Sequence, residues 1–291
     1  MEFAHVSVLL QESLDGLRIR PDGIYVDGTA GGAGHSREIA KRLTTGRLIA
    51  FDQDPDAVKT AAERLAPYPQ AEVVHDNFRN MASRLEERQA LPVDGVLLDL
   101  GVSSWQLDNP ERGFSYREDA PLDMRMSQEG ETAAELLARS SESEIARILW
   151  EYGEERYSRQ IARKIVEKRE KEPVLTTFQL ADLIKSGMPA AARREKNPCK
   201  RSFQALRIAV NSELDALSNG IDAAFDCLSE GGRLCIITFH SLEDRMVKQK
   251  FLDLARGCVC PPEFPVCVCG RTPAAKVITR KPVLPSEEEL K

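Results

Sequence analysis

The sequence predicts an α/β fold in which a parallel β-sheet is interrupted by an all-helical insertion. Through the first third of the chain, short apolar runs rich in β-branched residues alternate with helix-like patterns, as in consecutive βα units. A further strand-like run begins only at Arg233, far beyond the fourth run, which contains Asp99. A parallel crossover needs only about 30 residues, so the long interval is expected to form a structure of its own.

The first βα unit contains the strongest indication of a ligand site. The predicted strand Ile24–Asp27 leads into the stretch DGTAGGAGHS at 27–36, and a helix is predicted over His35–Leu43. Glycines at four of these positions leave backbone N–H groups free to approach a ligand closely. Neither GxGxxG nor a Walker pattern is present, so the loop alone does not identify the ligand.

The following elements repeat the βα order. Proline is favoured in the first turn of a helix, so the second predicted helix begins at Pro55. The predicted strands are Leu48–Asp52, Glu72–His75 and Val93–Leu100, and the predicted helices are Pro55–Leu65 and Arg79–Gln89.

The interval before the fifth strand reads as helical. Capping-box patterns begin at Thr132, Ser141 and Thr176, and each is followed by residues with the spacing of an amphipathic helix. After the insertion, the sheet is expected to resume with a helix over Phe203–Leu217 and a strand over Arg233–Phe239 that follows a Gly231-Gly232 turn. The predicted domains are a first sheet part at 1–106, a helical insertion at 107–198 and a second sheet part at 199–291.

Composition favours a soluble globular protein of the cytosol. Hydrophobic residues make up 42% and charged residues 30% of the chain, which argues against extended disorder. The formal charge of −6 gives no overall nucleic-acid signature, so an RNA surface would have to be a local patch. The start of the chain lacks a basic leader, and no apolar run approaches the roughly 20 residues of a membrane span. In that compartment Cys199, Cys227 and Cys235 are expected to be buried thiols.

Polar side chains lie at the end of every predicted strand. In open parallel sheets, ligands bind beyond the carboxyl ends of the strands. Asp52 has the spacing from Asp27 at which an acid accepts hydrogen bonds from ribose hydroxyls. Phe78 could stack on an adenine, and Asp99 could accept a hydrogen bond from an amine; a core position is the alternative for Phe78.

Other interpretations of these residues remain open at this point. Asp54 fits an N-cap of the helix that follows it. The stretch Asp52-Gln53-Asp54 resembles the paired aspartates of some phosphatases, but Pro55-Asp56 stand where a threonine is wanted. An NAD-dependent dehydrogenase is the stronger rival, although the missing GxGxxG argues against it.

Four cysteines near the end of the chain form a separate candidate site. Cys258, Cys260, Cys267 and Cys269 make two C-x-C pairs around a proline-rich segment. Four thiolates this close could hold a structural zinc, with free thiols or redox-labile pairs as the alternatives.

Motifs along nearly the whole chain resemble the ribosomal RNA small-subunit methyltransferase H family. They are HVSVLLQE (5–12), DGTAGGAGHS (27–36), DLGVSSWQLD (99–108), RGFSY (112–116), LDMRM (122–126), KRSFQALRIAVNSEL (200–214) and TFHSLEDR (238–245). The resemblance implies a Rossmann-like S-adenosylmethionine (SAM)-dependent methyltransferase sheet with an inserted helical domain. It also implies a cytoplasmic enzyme that methylates the exocyclic N4 of a cytidine in the decoding region of 16S rRNA, with no membrane or DNA partner.

The resemblance assigns roles to particular residues. SAM contacts fall on Ala33, Gly34, His35, Asp52, Phe78, Asp99 and Gln106, and S-adenosylhomocysteine would be the product. No Pro-Pro-aromatic loop follows the fourth strand, so the catalytic acceptors are expected to be Asp99, the Leu100–Ser103 backbone and His240. A structural histidine is the alternative for His240. Trp105, where relatives usually carry proline or a smaller residue, could clamp a flipped base, as could Phe114 and Tyr116.

Two cationic stretches are predicted RNA contacts. They are Arg193–Arg201 and the set Arg271, Lys276, Arg280 and Lys281, whereas the charges of Arg156–Lys171 alternate with Glu and predict a solvated helix face. The alternatives to the implied function are an NAD-dependent Rossmann oxidoreductase, a non-catalytic rRNA-binding assembly factor and a DNA amino-methyltransferase.

Overall fold

The computed structural model describes residues 7–194, 196–286 and 289. His5 and Val6 of the first family-like motif, and Glu195 of the first cationic stretch, lie outside these residues. The chain forms two compact units. Of the described residues, the sheet unit contains 7–52, 61–101, 217–286 and 289, and the helical unit contains 53–60, 102–194 and 196–216.

The sheet unit contains five parallel strands, which confirms the predicted fold class. In chain order they are β1 Ile24–Asp27, β2 Arg47–Asp52, β3 Ala71–His75, β4 Val93–Asp99 and β5 Leu228–Ile237. Their order across the sheet is β3-β2-β1-β4-β5, and every ladder is parallel. Since all strands run the same way, the carboxyl ends of β1, β2 and β4 lie along one edge.

The fifth strand differs from its prediction. It begins at Leu228 and runs through Gly231-Gly232, which had been expected to form a turn ahead of the strand. The pairing with β4 shifts register between Val93 and Gly95, and Gly231 has a φ of 79°. An irregularity of this kind allows the strand to continue through two glycines whose local sequence is typical of a turn.

Helices cover the chain between and after the strands. The helices are α1 Leu10–Leu17, α2 Gly34–Ala40, α3 Pro55–Leu65, α4 Met81–Glu87, α5 Ser104–Asp108, α6 Ala133–Arg139, α7 Glu142–Gly153, α8 Ser158–Arg169, α9 Thr177–Ser186, α10 Ala190–Arg193, α11 Lys200–Asn211, α12 Glu213–Cys227 and α13 Ser241–Ala255. None of the helices in the described residues combines the length and apolarity needed to cross a bilayer.

Alternation along the strands builds the two cores of the sheet unit. Val26, Ile49 and Leu98 lie in one buried apolar cluster, and their neighbours Leu48 and Leu97 lie in a second. Because successive strand residues point to opposite faces, both faces of the sheet are buried. The continuous apolar strands of the sequence follow from that arrangement.

The helical unit has its own core and the predicted caps. The side chains of Thr132 and Thr176 each complete a capping box, and Ser141 accepts a hydrogen bond from the Glu144 N–H. Leu122, Met124 and Ile161 are among its fully buried apolar residues. The predicted domain bounds at 107 and 198 remain a prediction, narrower than the contiguous range Val102–Ala216 of this unit.

The predicted helix over Phe203–Leu217 is wrong, because two helices meet inside it. Ser212 adopts a left-handed conformation with φ 49° and ends α11 before α12 begins. At this break the Asn211 side chain donates to the carbonyl of Met124 and accepts from the N–H of Met126, both at 2.7 Å. Those contacts to a distant loop favour the break over one continuous helix.

Candidate functional site

The glycine-rich loop of the sheet unit is fixed by the acids at the strand ends. One carboxylate oxygen of Asp52 accepts the Gly31 N–H at 2.8 Å, and Gly31 has a φ of 49°. The buried Asp27 accepts the Thr29 N–H at 3.1 Å and the Ser36 hydroxyl at 2.6 Å. The loop is therefore held as a defined turn between β1 and α2.

The three predicted contacts after these glycines open α2. Ala33 is the N-cap of the helix, with a φ of 60° and a fully buried side chain. At Gly34 an added Cβ would lie 1.9 Å from Ser7 Oγ, so a side chain there would require Ser7 to move. His35 is buried, with 5% of its side chain exposed. Of these three positions, only Gly34 is partly exposed.

Asp99 lies at the end of β4. Among the described carboxyl groups of the sheet unit, its pKa is shifted furthest from the ordinary value. Its backbone N–H donates to Thr29 Oγ1 at 2.6 Å, which ties it to the glycine loop. Within the described residues its Oδ1 is buried and accepts no hydrogen bond. Burial, with the nearby negative charges of Asp27 and Glu243, raises the pKa of Asp99 to about 7. A buried acceptor without a donor indicates a ligand group.

His35 faces the same carboxyl group. Its Nε2 lies 3.2 Å from the Val8 carbonyl, which can only accept, so Nε2 must carry the proton. Burial is the main cause that lowers the pKa of His35 and favours the neutral ring. Its unprotonated Nδ1 then lies 3.6 Å from Asp99 Oδ2. This arrangement adds no positive charge to stabilise an ionised Asp99.

The two phenylalanines of the strand ends have different surroundings. Phe78 packs against the apolar core and against Gly220, where an added Cβ would come within 2.3 Å of its ring. Phe239 ends the fifth predicted strand, and its sequence position indicates no role. The residue is 55% exposed. Its ring lies beside Gly101, which has a φ of 92°. Phe239 therefore offers an open aromatic surface close to the strand end that carries Asp99.

His240 begins α13 as its N-cap. Its Nδ1 accepts the Glu243 N–H at 3.4 Å, and its Nε2 lies 3.1 Å from Glu243 Oε1. Glu243 is 3% exposed and also accepts the Phe239 N–H at 2.8 Å. Both ring nitrogens thus face the first turn of the helix, so its catalytic role stays a prediction.

Ser103 and Gln106 are organised within the helical unit. They form a capping box at α5, in which the Ser103 hydroxyl accepts the Gln106 N–H at 3.2 Å. The Gln106 amide donates to Asp54 Oδ2 at 2.7 Å. Asp54 also accepts the Asp56 N–H at 3.1 Å, which confirms its predicted place as a helix cap.

A buried arginine completes this network, and the sequence did not indicate its role. Arg112 donates through Nη1 to Asp54 Oδ2 at 2.7 Å and through Nη2 to the carbonyls of Arg125 and Met126. The Arg112 and Asp54 side chains are 9% and 1% exposed. Arg112 belongs to the RGFSY motif, but its partner Asp54 lies far away in the sequence, so the motif alone does not indicate the ion pair.

Two of the three proposed clamp residues belong to the core of the helical unit. Phe114 is 7% exposed and lies in the apolar cluster. Tyr116 packs edge-on against Phe203, with ring centroids 4.8 Å apart. Phe114 is buried, so the expectation that it clamps a base is wrong, whereas Tyr116 is only partly buried and its clamp role stays a prediction. Trp105 lies in α5 and is partly buried.

An open groove between α7 and α8 carries an exposed aromatic ring and several arginines. Trp150 is 59% exposed there. The arginines lining the groove are Arg147, Arg156, Arg159 and Arg163. Arg147 pairs with Glu151 at 2.7 Å, and Arg163 lies 3.7 Å from Glu142. In the described part of the chain neither Arg156 nor Arg159 forms an ion pair, so this face is more cationic than the sequence predicted.

Comparisons with known proteins agree on one family. The model of the MraW methylase family matches residues 2–291. A ribosomal RNA small subunit methyltransferase H from Brevibacillus brevis is 56% identical over 294 residues, which cover 100% of this chain and 94% of the relative. A protein of the same name from Heliobacterium mobile is 54% identical over 296 residues, covering 100% of this chain and 95% of the relative.

One solved structure with a related description is an rRNA methylase from Streptococcus thermophilus. It has a TM-score of 0.29 and 22% identity, with coverage of 34% of this chain and 58% of that one. This likeness is too weak to support an argument.

Proposed function

The chain belongs to the MraW methylase family, and from that membership we propose that it methylates the exocyclic N4 amine of a cytidine in the 16S rRNA of the small ribosomal subunit. The relatives' names support small-subunit rRNA as the substrate class. The N4 position and the decoding region rest on the resemblance of the motifs. Such a substrate would place the reaction in the cytoplasm.

The observation that carries the proposal is the unsatisfied carboxyl group of Asp99. Its buried Oδ1 lacks a donor within the described residues, and it lies beside a glycine loop at the carboxyl end of a parallel sheet. SAM offers an amine, ribose hydroxyls and an adenine amine as donors, so the residues present fit this group. When bound, SAM would supply a methyl group already activated by its sulfonium.

The remaining predicted contacts have complementary chemistry. Asp52, which accepts the Gly31 N–H, would also accept hydrogen bonds from ribose hydroxyls. Ala33, Gly34 and His35 would present backbone groups at the start of α2, while Phe78 and Gln106 remain predicted contacts. The exposed ring of Phe239 would stack on a base.

The task left to the protein is alignment and proton acceptance. The lone pair of the cytosine amine is delocalised into the ring, so acceptors for its N–H groups would favour a more reactive nitrogen. Asp99 and the backbone carbonyls of Leu100–Ser103 would serve as acceptors, with His240 as a further candidate. The Asp99 carboxylate would take up the amine proton when SAM supplies its methyl group, the backbone carbonyls would orient the amine, and S-adenosylhomocysteine would be the product.

For the RNA, we propose that the groove between α7 and α8 contacts the substrate. Arginines suit phosphates, and an exposed tryptophan suits a stacked base. The two cationic stretches also stay in the proposal: the described cations of Arg193–Arg201 are exposed, as are Arg271, Lys276, Arg280 and Lys281.

The alternatives have less support. The family description and the relatives' names are those of methylases, which gives no support to an NAD-dependent oxidoreductase. A non-catalytic assembly factor would bind the subunit without transferring a methyl group, and a DNA methyltransferase would prefer DNA.

The decisive experiment is transfer of labelled methyl from SAM to small subunits prepared from cells that lack this protein, with the modified nucleoside identified by mass spectrometry. We expect N4-methylcytidine, and we expect Asp99→Asn to lower the rate at least about tenfold, because it removes the charge that strengthens hydrogen bonds to a ligand. The matched control is Asp94→Asn at the opposite end of β4, where Asp94 accepts from Arg20 at 2.8 Å. Label in a different nucleoside, or subunit binding without transfer, would overturn the proposal.

A further inference from the structure

The segment after α13 contains four thiols that the methyl-transfer proposal does not use. The described residues from Arg256 to Ser286 form no helix or strand, and most are exposed. Val266 and Val268 are 70% and 72% exposed, so the segment lacks an apolar core. Something other than burial must hold this part of the chain in one conformation.

The fold nevertheless brings the four cysteines together. The sulfur atoms of Cys258, Cys260, Cys267 and Cys269 all lie within 4.8 Å of one another. The distance is 4.0 Å from Cys260 Sγ to Cys267 Sγ, 3.9 Å from Cys269 Sγ to Cys258 Sγ and 3.5 Å within the Cys267–Cys269 pair. All four are free cysteines.

These distances match those of a tetrahedral metal–thiolate centre. With Zn–S bonds of about 2.3 Å, the sulfurs of a tetrahedral site lie about 3.8 Å apart. The C-x-C spacing is shorter than the usual C-x₂-C, yet both sulfurs of each pair reach the cluster here. Four soft sulfur ligands select zinc or iron over magnesium or calcium.

Backbone groups around the sulfurs are also arranged for thiolates. The N–H groups of Val259, Cys260 and Val268 each point at a cluster sulfur, at 3.5, 3.4 and 3.3 Å. Donors of this kind orient metal-bound thiolates in a second layer of contacts.

The base of the loop is anchored to the end of α13. The N–H groups of Ala274 and Ala275 donate to the Leu254 carbonyl at 2.9 and 3.1 Å, and the Arg271 guanidinium donates to the Asp253 carbonyl. At the far end, the Phe264 N–H closes a turn on the Pro261 carbonyl at 3.1 Å. The cysteines lie between these two fixed points, where a cross-link would define the whole loop.

We propose that Cys258, Cys260, Cys267 and Cys269 bind one structural zinc ion that holds the loop of residues 257–273 against α13. Binding replaces the thiol protons by bonds to the metal, so protons are released as zinc enters. The site is separate from the strand-end residues to which the methyl-transfer proposal assigns chemistry.

The first test is metal analysis of the full-length protein purified under reducing conditions. We expect about one zinc per chain in the wild type and less than about a tenth of that in the Cys260→Ser/Cys267→Ser variant. Cys227→Ala is the matched control, because Cys227 is buried elsewhere in the sheet unit, and it should keep its zinc. Absence of zinc from the wild type after incubation with zinc and a reductant would overturn the proposal.

Two further measurements cover the other outcomes. Cobalt loaded into the wild type should give the absorption of a tetrahedral thiolate complex, and this readout does not depend on how well a variant folds. Chelator treatment should expose the loop to proteolysis between Gly257 and Pro273, with readdition of zinc restoring protection. Two disulfides per chain by mass spectrometry, or stoichiometric iron in place of zinc, would each contradict the zinc site.

Discussion

Asp99 is a residue whose protonation the fold controls. An ordinary aspartate in the unfolded chain titrates near 3.8, whereas burial and the charges of Asp27 and Glu243 raise the folded pKa of Asp99 to about 7. Between these values the folded protein holds a proton that the unfolded chain lacks. Stability therefore rises as the pH falls from about 7 to about 4, and this contribution is lost above pH 7.

We expect Asp99→Asn to stabilise the ligand-free protein at pH 8, because the amide removes a buried charge. Each unit of pKa shift corresponds to about 1.4 kcal/mol, and partial exposure of the side chain reduces the effect to about 1–3 kcal/mol. The gain should shrink towards zero as the pH approaches 4. The measurement is urea unfolding of both proteins across this range.

The control for this effect is Asp94→Asn. Asp94 accepts hydrogen bonds from Arg20 and from the Ile24 N–H, both at 2.8 Å, so its loss should destabilise the protein at neutral pH. If Asp99→Asn destabilised the protein at pH 8, or if its gain did not depend on pH, the assignment of a raised pKa to Asp99 would be wrong.

At the scale of elements, the network around Asp54 joins the start of α3 to α5 and to the segment that follows α5. Asp54 accepts from Gln106 and Arg112 at 2.7 Å and from Gln128 at 3.1 Å. A guanidinium that also donates to two backbone carbonyls holds several segments at once. Removing it leaves a buried carboxylate without its main partner.

We expect Arg112→Ala to destabilise the helical unit by about 3–5 kcal/mol, which is the usual cost of breaking a buried ion pair from one side. Arg112→Lys should recover only part of this loss, because an ammonium cannot donate from two separate arms. Unfolding is measured by tryptophan fluorescence, since Trp105 and Trp150, the two tryptophans of the chain, both lie in this unit.

Arg139→Ala serves as the comparison. Arg139 pairs with Glu131 at the surface, where its side chain is 57% exposed, so its loss should cost no more than about 1 kcal/mol. Equal losses in the Arg112 and Arg139 variants would show that burial of the Asp54 pair contributes nothing.

The same network shows where prediction from sequence ends. The first four strands were predicted nearly to the residue, because their apolar runs and the aspartates that end three of them are local signals. The cap role of Asp54 was also local. Its pairing with Arg112 joins positions 58 residues apart, and no pattern in a single sequence encodes that contact. For the same reason the break at Ser212 was missed, since it depends on what Asn211 contacts elsewhere.

The strand-end site was predictable in part. The glycine loop, Asp52 and Asp99 follow from the rule that ligands bind beyond the carboxyl ends of parallel strands. The burial of Phe114 was not predictable, because an aromatic residue in a family motif is equally compatible with a core position and with a contact surface. The exposed Phe239 and Trp150 became candidates only when their solvent exposure was known.

For the whole molecule, charge decides how an RNA can be bound. The net charge is −6, so a polyanion is repelled overall and must be attracted locally. The groove between α7 and α8 supplies two arginines without ion pairs within the described residues, Arg156 and Arg159, beside the exposed ring of Trp150. Phosphate contacts and stacking contribute differently, because only the former release counterions.

We expect Arg156→Gln/Arg159→Gln to make the dependence of log K on log salt shallower by about 1.4, which is about 0.7 for each single-strand phosphate that is no longer neutralised. Trp150→Ala should weaken binding by about 1–3 kcal/mol and leave that slope unchanged.

Lys164→Gln/Lys168→Gln is the matched control on α8, since these lysines pair with Glu167 and Glu172 at 2.8 and 2.5 Å and should change the slope little. Binding of a labelled rRNA fragment is measured by fluorescence anisotropy over a range of salt concentrations. An equal change in both double variants, or a change only on neutralising Lys200 and Arg201, would place the RNA elsewhere.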